Sequence, residues 1–449
     1  MTGREPVNEL EIGESPPTLA SSFAVSAAAQ TSIAAAALAG AEFWSHRTGA
    51  RQLIRVPRAA AELECTGYFT LDGQVPEAWA KYSGLYGCSD GHVRIHANFD
   101  HHRDGVLALL GLPPGESAPR EAVASALQPW RAADFEEAAA QQGLVVAMAR
   151  SFEEWDRHPH ALAAAQLPLL TIDRIDDAKP LADPPISADQ APLTGIRVLD
   201  LTRILAGPIC GRTLAAYGAD VMLINSPHLP NIESIADTSR GKRSAHIDLS
   251  TEAGRGQLGR LLETAHLFVQ GYRPGGLSAL GFSPGELAQR RPGIVAVSLS
   301  AYGPKGPWAE RRGFDSLVQT ATGFNVAEGE ASAAANGVRQ PKALPVPILD
   351  YASGFLMAFG AQTALLRQRI EGGSWHVQVS LLQTANWLRS LGRIDNGFAV
   401  QRPKLADHLL DYPCTHAKLR AMPHAAEFSV TPAHWRWPSA LPGEHPAAW

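Results

Sequence analysis

From residue 195 to residue 300 the sequence alternates short apolar runs with helical patterns, and this alternation restricts the fold more than any other feature. "GIRVLDLT" (195–202), "DVMLIN", "HLFVQGY" and "IVAVSLSAYG" read as strands, with "GPICGRTLAAYGA", "TEAGRGQLGRLLETA" and "SPGELAQRRP" as the helices between them. Strands linked by single helices form right-handed βαβ crossovers and therefore a parallel sheet. The runs are apolar throughout rather than alternating, which predicts burial on both faces. The expected fold class is α/β, a Rossmann-like parallel sheet domain accompanied by a small α+β domain. The dinucleotide fingerprint GxGxxG is missing after the first strand, where "RILAGPICG" stands, so a nicotinamide cofactor is disfavoured.

The remainder divides around this unit. Residues 1–77 are a helix–strand segment, 78–180 a small α+β domain, 181–194 a Pro-, Ala- and Asp-rich linker, 195–390 the Rossmann-like domain, and 391–449 a closing segment. The Ala-rich stretch "SSFAVSAAAQTSIAAAALAGAEFW" (21–44) follows the acidic flank "NELEIGE", which is wrong for a signal peptide, and reads as a buried helix. No apolar run approaches the ~20 uncharged residues of a membrane span. A net charge of −5 offers no electrostatic basis for binding nucleic acid or an anionic membrane. Cys65, Cys88, Cys210 and Cys414 form no CxxC pair, so neither a zinc site nor a disulfide framework is indicated, and a soluble cytoplasmic enzyme fits. His96, His101 and His102 cluster in "RIHANFDHHRDG"; without a matching acid or Cys spacing they read as a solvated helix start rather than as metal ligands.

One acid stands apart. In "VPILDYASG" (346–354), Asp350 directly precedes the apolar helical pattern "YASGFLMAFGAQTALLRQR". Local sequence predicts a helix cap there, since Asp is among the best N-caps. The stretch from Asp350 also lies without gaps over "SAAAQTSIAAAALAGAEFWSHRTGARQLIRV" from Ser26: a long helix, a basic turn with Gly, then a short strand. Ser26 occupies the acid's place in the first copy.

The motifs "GIRVLDLTRILAGPICGRTLAAYGADVMLI", "SRGKRSAHIDLSTEAG", "VQGYRPGGLSALGF", "VSLSAYGPKGPW", "GFDSLVQTATG" and "PVPILDYASG" follow one another in the order and spacing of the class III CoA-transferases. The sequence resembles that family, which includes formyl-CoA transferase, carnitine CoA-transferase and α-methylacyl-CoA racemase, over roughly residues 192–390. Residues 78–180 resemble the family's small domain, yet here they precede the Rossmann-like part. The resemblance therefore implies a rearranged fusion: a degenerate second half of one unit joined to the first half of another. Family members commonly form interlaced dimers, so a homodimer is expected; the resemblance leaves open whether a rearranged chain interlaces.

The resemblance makes Asp350 the nucleophile, with coenzyme A as co-substrate, an acyl-CoA and a carboxylic acid as partners, and no permanently bound cofactor or metal. Leu205 and Ala206 would border CoA. Ile247, Asp248, Leu249 and Ser250, with Gly271, Tyr272 and Arg273, would form the adenine and ribose-phosphate wall. Arg312 would face the CoA arm, and Arg240, Lys242 and Arg243 would meet phosphates. Ser26 cannot form an anhydride, so the first copy would be silent. The racemase branch has a His immediately before the acid of "GFD"; here it is Phe314, which argues against two-base proton exchange, and Asp315 reads as a structural acid. Departures are Asn225, Ser226 and Pro227 where an acid and a base are usual, Ala279 where some members have Arg, and no recognisable glycine-rich loop; "LDGQVPEAW", with Gly73 and Gln74, is given no role. A CoA-transferase is the leading expectation; an acyl-CoA racemase or isomerase and a non-catalytic CoA-binding protein are the alternatives.

Overall fold

Seven strands form the central sheet, in the spatial order Lys242–His246, Asp220–Asn225, Arg197–Leu201, Leu267–Gln270, Val295–Ser300, Ser374–Ser380 and Leu170–Asp176. The computed structural model describes residues 9–183, 185–337 and 340–449. The first six strands are parallel, and Leu170–Asp176 closes the edge antiparallel to Ser374–Ser380. Strand order reverses between Arg197–Leu201 and Leu267–Gln270, the doubly wound arrangement in which loops on either side of the reversal diverge and leave a crevice at the strands' C-terminal ends. Apolar side chains on both faces of these strands are buried, Val198, Val221, Val269 and Val297 toward one layer and Leu199, Met222, Phe268 and Ala296 toward the other. This is the α/β fold expected from the continuous apolar runs. One boundary differs: Leu170–Asp176, assigned from sequence to the small domain, pairs into the central sheet.

The small unit is a three-stranded antiparallel sheet, Gly84–Gly87, His92–Ile95 and Val146–Met148, packed on the helices Asp100–Leu109, Arg120–Leu127 and Ala132–Gln141. Its core joins Val93 and Ile95 to Val106, Leu107, Val123 and Phe135. The chain ends are not separate segments. Leu53–Pro57 pairs with both Glu9–Gly13 and Glu427–Phe428, and Leu419–Ala421 lies between Leu410–Tyr412 and Phe69–Leu71.

The Ala-rich stretch forms the helix Val25–Thr48, buried along much of its length among small side chains such as Ala29, Ala36, Ala37 and Ala41. Small residues let it lie close to the helix Ile348–Glu371: Gln362 Nε2 donates to Ala36 O across the pair at 3.0 Å. Both helices have 24 residues, and each is followed by a glycine of positive φ, a strand and a shorter helix. Among the described residues no helix is long and apolar enough to cross a membrane.

Candidate active site

The crevice at the sheet's reversal point holds a cavity of about 460 Å³. Its floor comes from the C-terminal ends of three parallel strands and the loops that leave them: Arg203–Ala206, Gly271–Pro274 and Leu299–Ala301. The segment Arg311–Phe314 and the start of the small unit's helix Asp100–Leu109, with Phe99, His101 and His102, form other parts of the wall. Ile204, at the first loop, has φ of 75°. For a β-branched residue that region is strained by ~1–3 kcal/mol, and such strain persists where the surrounding structure enforces it, commonly at functional sites. The turn delivers Ala206, first residue of the helix Ala206–Ala216, to the cavity wall.

Asp350 lines this cavity, and it is not the cap of its helix. The helix starts one turn earlier than the sequence suggested, at Ile348, with Pro347 at the cap position. Capping falls to Asp315, only 4% exposed, whose Oδ2 accepts from the Asp350 N–H at 3.0 Å and whose carboxylate also accepts from the Leu349 N–H. Gln319 donates to the other oxygen. Because Asp315 serves the backbone, the Asp350 carboxyl is left to face the cavity. Burial, with the Asp315 charge beside it, pushes the Asp350 carboxyl well above the ordinary carboxylate range. Burial likewise pushes Asp315 up, to about 6, against the hydrogen bonds it accepts and the nearby Arg94 guanidinium.

The lining is rich in guanidinium groups. Arg203, Arg273, Arg311 and Arg312 face one acid, Asp350. Arg311 is partly committed, 4.0 Å from Glu136 and stacked over the Trp308 ring at 4.1 Å. Arg312 donates to the Gly143 carbonyl at 3.4 Å. Thus Leu205, Ala206, Gly271, Tyr272, Arg273, Arg312 and Asp350, singled out separately from sequence, meet in one cavity.

Other expected residues lie elsewhere. Arg240 is buried, hydrogen-bonded to Asp237 at 2.5 Å and to Met422 O at 3.1 Å, between the rings of Tyr412 and Trp435. Lys242 is 0% exposed and bonds Asp200 and Pro208 O, both at 2.8 Å. Arg243 meets both oxygens of Asp220 at 2.9 Å. These three cations are spent on internal acids and are not presented to phosphates. Ile247 is buried in the core, and Asp248 turns to the Ser250 N–H and hydroxyl. The stretch Ile247–Ser250, Leu249 included, is outside the lining, although His228, neighbour of the lining residue Leu229, bonds Asp248 at 3.1 Å. Gly73 and Gln74 do not reach the cavity.

The histidine cluster needs correction. A helix does start at Asp100, but it is not solvated at His102, which is 5% exposed and lines the cavity. His96 is buried and stacks on Phe314 with centroids 4.0 Å apart. Burial, with His101, Arg312 and Arg203 nearby, pulls His102 down to about 4, so its ring is neutral near pH 7. The overlooked signal was spacing: His102 and Val106 stand one helical turn apart on the stripe that Val106 and Leu107 bury. Arg203, inside the quoted "TRILAGP", was passed over as well.

Residues 193–404 match the model of CoA-transferase family III. That segment of the chain is similar to the family. Similar proteins include an acyl-CoA transferase of Gibberella moniliformis, 31% identical over 316 residues and covering 67% of this chain and 55% of the relative. A succinate–glutarate CoA-transferase of Agrobacterium fabrum is 33% identical over 211 residues, covering 42% of this chain and 51% of the relative. The chain spans about half the length of the curated relatives it matches. Among solved structures, a CaiB/BaiF family protein of Brucella suis is 27% identical, covering 50% of this chain and 63% of that one, with a TM-score of 0.40.

Proposed function

We propose that this chain transfers CoA between an acyl-CoA and a free carboxylic acid, with Asp350 as the nucleophile. The observation that carries this reading is a carboxylate relieved of capping by a second acid, set in the first turn of a long helix and facing a cavity lined with guanidinium groups. Exchange of CoA between acids must conserve the thioester's free energy, and a carboxylate nucleophile permits that. The Asp350 oxygen attacks the thioester carbonyl; the C–S bond breaks, CoA leaves as thiolate, and a mixed anhydride remains. The thiolate then attacks the Asp350 carbonyl carbon, releasing the first acid as carboxylate and leaving an enzyme thioester. The incoming carboxylate attacks that thioester to form a second anhydride. Thiolate attack on its acyl carbon gives the new acyl-CoA and restores Asp350.

Each intermediate is hydrolysable, so the site must keep water out. The helix's N-terminal partial charge and the surrounding cations favour the ionised form of Asp350, opposing burial and Asp315. In this reading Arg203, Arg273 and Arg312, which line the cavity, would meet the anionic parts of CoA, with Leu205, Ala206, Gly271 and Tyr272 along its arm. Ser26, at the matching place on the helix Val25–Thr48, lines none of this cavity and is read as catalytically silent. Unpaired cysteines, two of them buried, fit a reducing cytoplasm, and a homodimer is the expected assembly.

The test is incubation with a panel of acyl-CoAs, trapping with hydroxylamine and peptide mass analysis. The expected result is a hydroxamate on the Asp350 peptide and none at Ser26. Transfer activity persisting at full rate in Asp350→Asn would refute the assignment.

A further inference from the structure

A second cleft lies at the opposite edge of the central sheet from Asp350, where the same parallel strands begin. It encloses about 790 Å³ beside Arg197 and Asp220, the first residues of two strands, His266, which directly precedes a third, and Arg291, just before a fourth. The helix Ala206–Ala216 runs from the Asp350 cavity to this cleft, roughly 16 Å at 1.5 Å per residue, and the sheet separates the two. Much of the polar wall consists of donors that the protein leaves unused. Arg291 Nε donates to Ala265 O at 3.1 Å, and its two terminal nitrogens have no hydrogen-bond partner among the described residues. Arg197 spends one terminal nitrogen on Thr264 Oγ1, at 2.9 Å. Arg436, exposed and placed over the Trp437 ring at 5.4 Å, has no hydrogen bond or ion pair among the described residues. Helix C-termini draw cations to their carbonyls, and Arg291 Nε answers one, but its terminal nitrogens and Arg436 answer none. The His266 tautomer is fixed: Nδ1 accepts from the Arg197 N–H at 3.0 Å, so the neutral ring carries its proton on Nε2, which also lacks a partner among the described residues.

Burial, with Arg369, Arg291 and Arg197 nearby and only Asp183 opposing them, pulls His266 down to about 4, so these donors share one positive region and the ring is neutral near pH 7. Of the two lining acids, Asp220 is held by Arg243 through both oxygens, and Glu263 is exposed to solvent. Three lining guanidiniums therefore face one uncommitted acid, which favours an anion. The other wall is small and apolar, formed by Ala215, Ala216, Gly218 and Ala219. A free inorganic anion would leave that wall and most of the volume empty. Guanidinium forks match phosphate oxygens in pairs, and a neutral imidazole N–H adds a donor without adding charge. We infer that this cleft binds an organic phosphate monoester of sugar-phosphate to nucleotide size, its phosphate on Arg197, Arg291 and the His266 Nε2–H, with Arg436 beside it and its organic part along the alanine wall. The site is independent of the reaction proposed at Asp350.

The test is titration calorimetry with ribose 5-phosphate, AMP and adenosine on wild type, Arg291→Gln, Arg436→Gln and Arg312→Gln, the last of which alters the Asp350 cavity instead. Wild type should bind both phosphates, and AMP about 10-fold or more tighter than adenosine. Arg291→Gln should weaken both phosphates about 10-fold. Arg436 is exposed, so Arg436→Gln leaves folding intact and should weaken them about 3-fold. Arg312→Gln should leave a phosphate-binding event of wild-type affinity. Equal affinity for ribose 5-phosphate and AMP would make the sugar phosphate the sufficient ligand, whereas a preference for AMP would put the base on the alanine wall. No heat from either phosphate at about 10 mM overturns the inference. So does equal binding of AMP and adenosine, or phosphate binding unchanged in both Arg291→Gln and Arg436→Gln. Binding lost in Arg312→Gln and kept in Arg291→Gln also overturns it, by assigning the phosphate to the Asp350 cavity.

Discussion

Asp315 is the residue on which the position and the protonation of Asp350 both depend, and two substitutions separate these roles. Asp315→Ala removes the acceptor for the Asp350 and Leu349 N–H groups and for Gln319, in a place only 4% exposed. Losing a cap costs ~0.5–2 kcal/mol, and each buried donor left unmet costs ~1–3 kcal/mol. Water entering from the cavity and relief of repulsion with Asp350 offset part of this, leaving a net loss of about 3 kcal/mol. Asp315→Asn keeps one acceptor oxygen, and its loss should be about 1 kcal/mol. The charge disappears in both. Because the Asp315 charge helps hold the proton on Asp350, both variants should shift the acid limb of kcat/KM to lower pH. The shift is partial, since burial, the larger cause, remains. Urea unfolding and pH–rate profiles read the two effects independently. Equal stability of wild type and Asp315→Ala would remove Asp315 from the cap, and an unmoved acid limb in Asp315→Asn would show that the two carboxyls do not interact.

Other substitutions probe the frame. Asp350 has a folded-state pKa above its unfolded value, so the folded state holds an extra proton and stability falls as pH rises from the ordinary carboxylate range through that higher value. Asp350→Asn should therefore be more stable than wild type by ~1–2 kcal/mol near pH 8 and indistinguishable near pH 4, as melting curves will show. Glu64, 1% exposed, presents the reverse case: burial opposes its ionisation, but His424, Arg212 and the Ala425 N–H outweigh burial and hold it at about 2. Its stabilising contribution is present above the ordinary Glu range and is lost as pH falls toward 2. Glu64→Gln should cost ~3 kcal/mol at pH 7 and little in strong acid, with faster proteolysis of the segment after Leu410 as the local readout. Gly354→Ala would place a methyl group 2.5 Å from Ala206 O and 2.7 Å from Ile209 Cβ. It should push apart the two helices that carry Asp350 and Ala206, lowering kcat/KM and costing ~1–3 kcal/mol in urea.

What the sequence revealed depended on whether the deciding interactions were local. The parallel strands were legible because burial on both faces leaves unbroken apolar runs, and Asp350 stood out at the head of a long helical pattern. "SRGKRS" misled because its cations are neutralised by residues distant in sequence: Lys242 by Asp200, Arg243 by Asp220. Arg240 pairs with Asp237 only three residues away, but its burial depends on Tyr412 and Trp435 from the far end of the chain. A basic turn and an internal ion-pair cluster look alike in one dimension. The identity of the cap was hidden in the same way, since Asp350 has a capping residue type at nearly a capping position while the actual acceptor, Asp315, arrives from another helix. His102 was judged by its polar neighbours, although only its spacing to Val106 bears on which way it faces.

The N-terminal segment makes better sense as a support for Asp350 than as a second site. Its helix Val25–Thr48 lies along the helix that carries the acid, and Gln362 ties the two together. Further on, Gly67 packs so closely on the Tyr351 hydroxyl that any side chain there would collide with it. Tyr351 is the residue after Asp350 and is itself fully buried. Glu64, three residues before Gly67, reaches Arg212 on the helix that begins at Ala206 in the cavity wall. One short stretch of chain thus clamps both helices whose first turns face the substrate cavity. In the proposed mechanism Asp350 attacks repeatedly without admitting water, which requires its helix to be fixed against the opposing wall, and this packing supplies that restraint from outside the cavity.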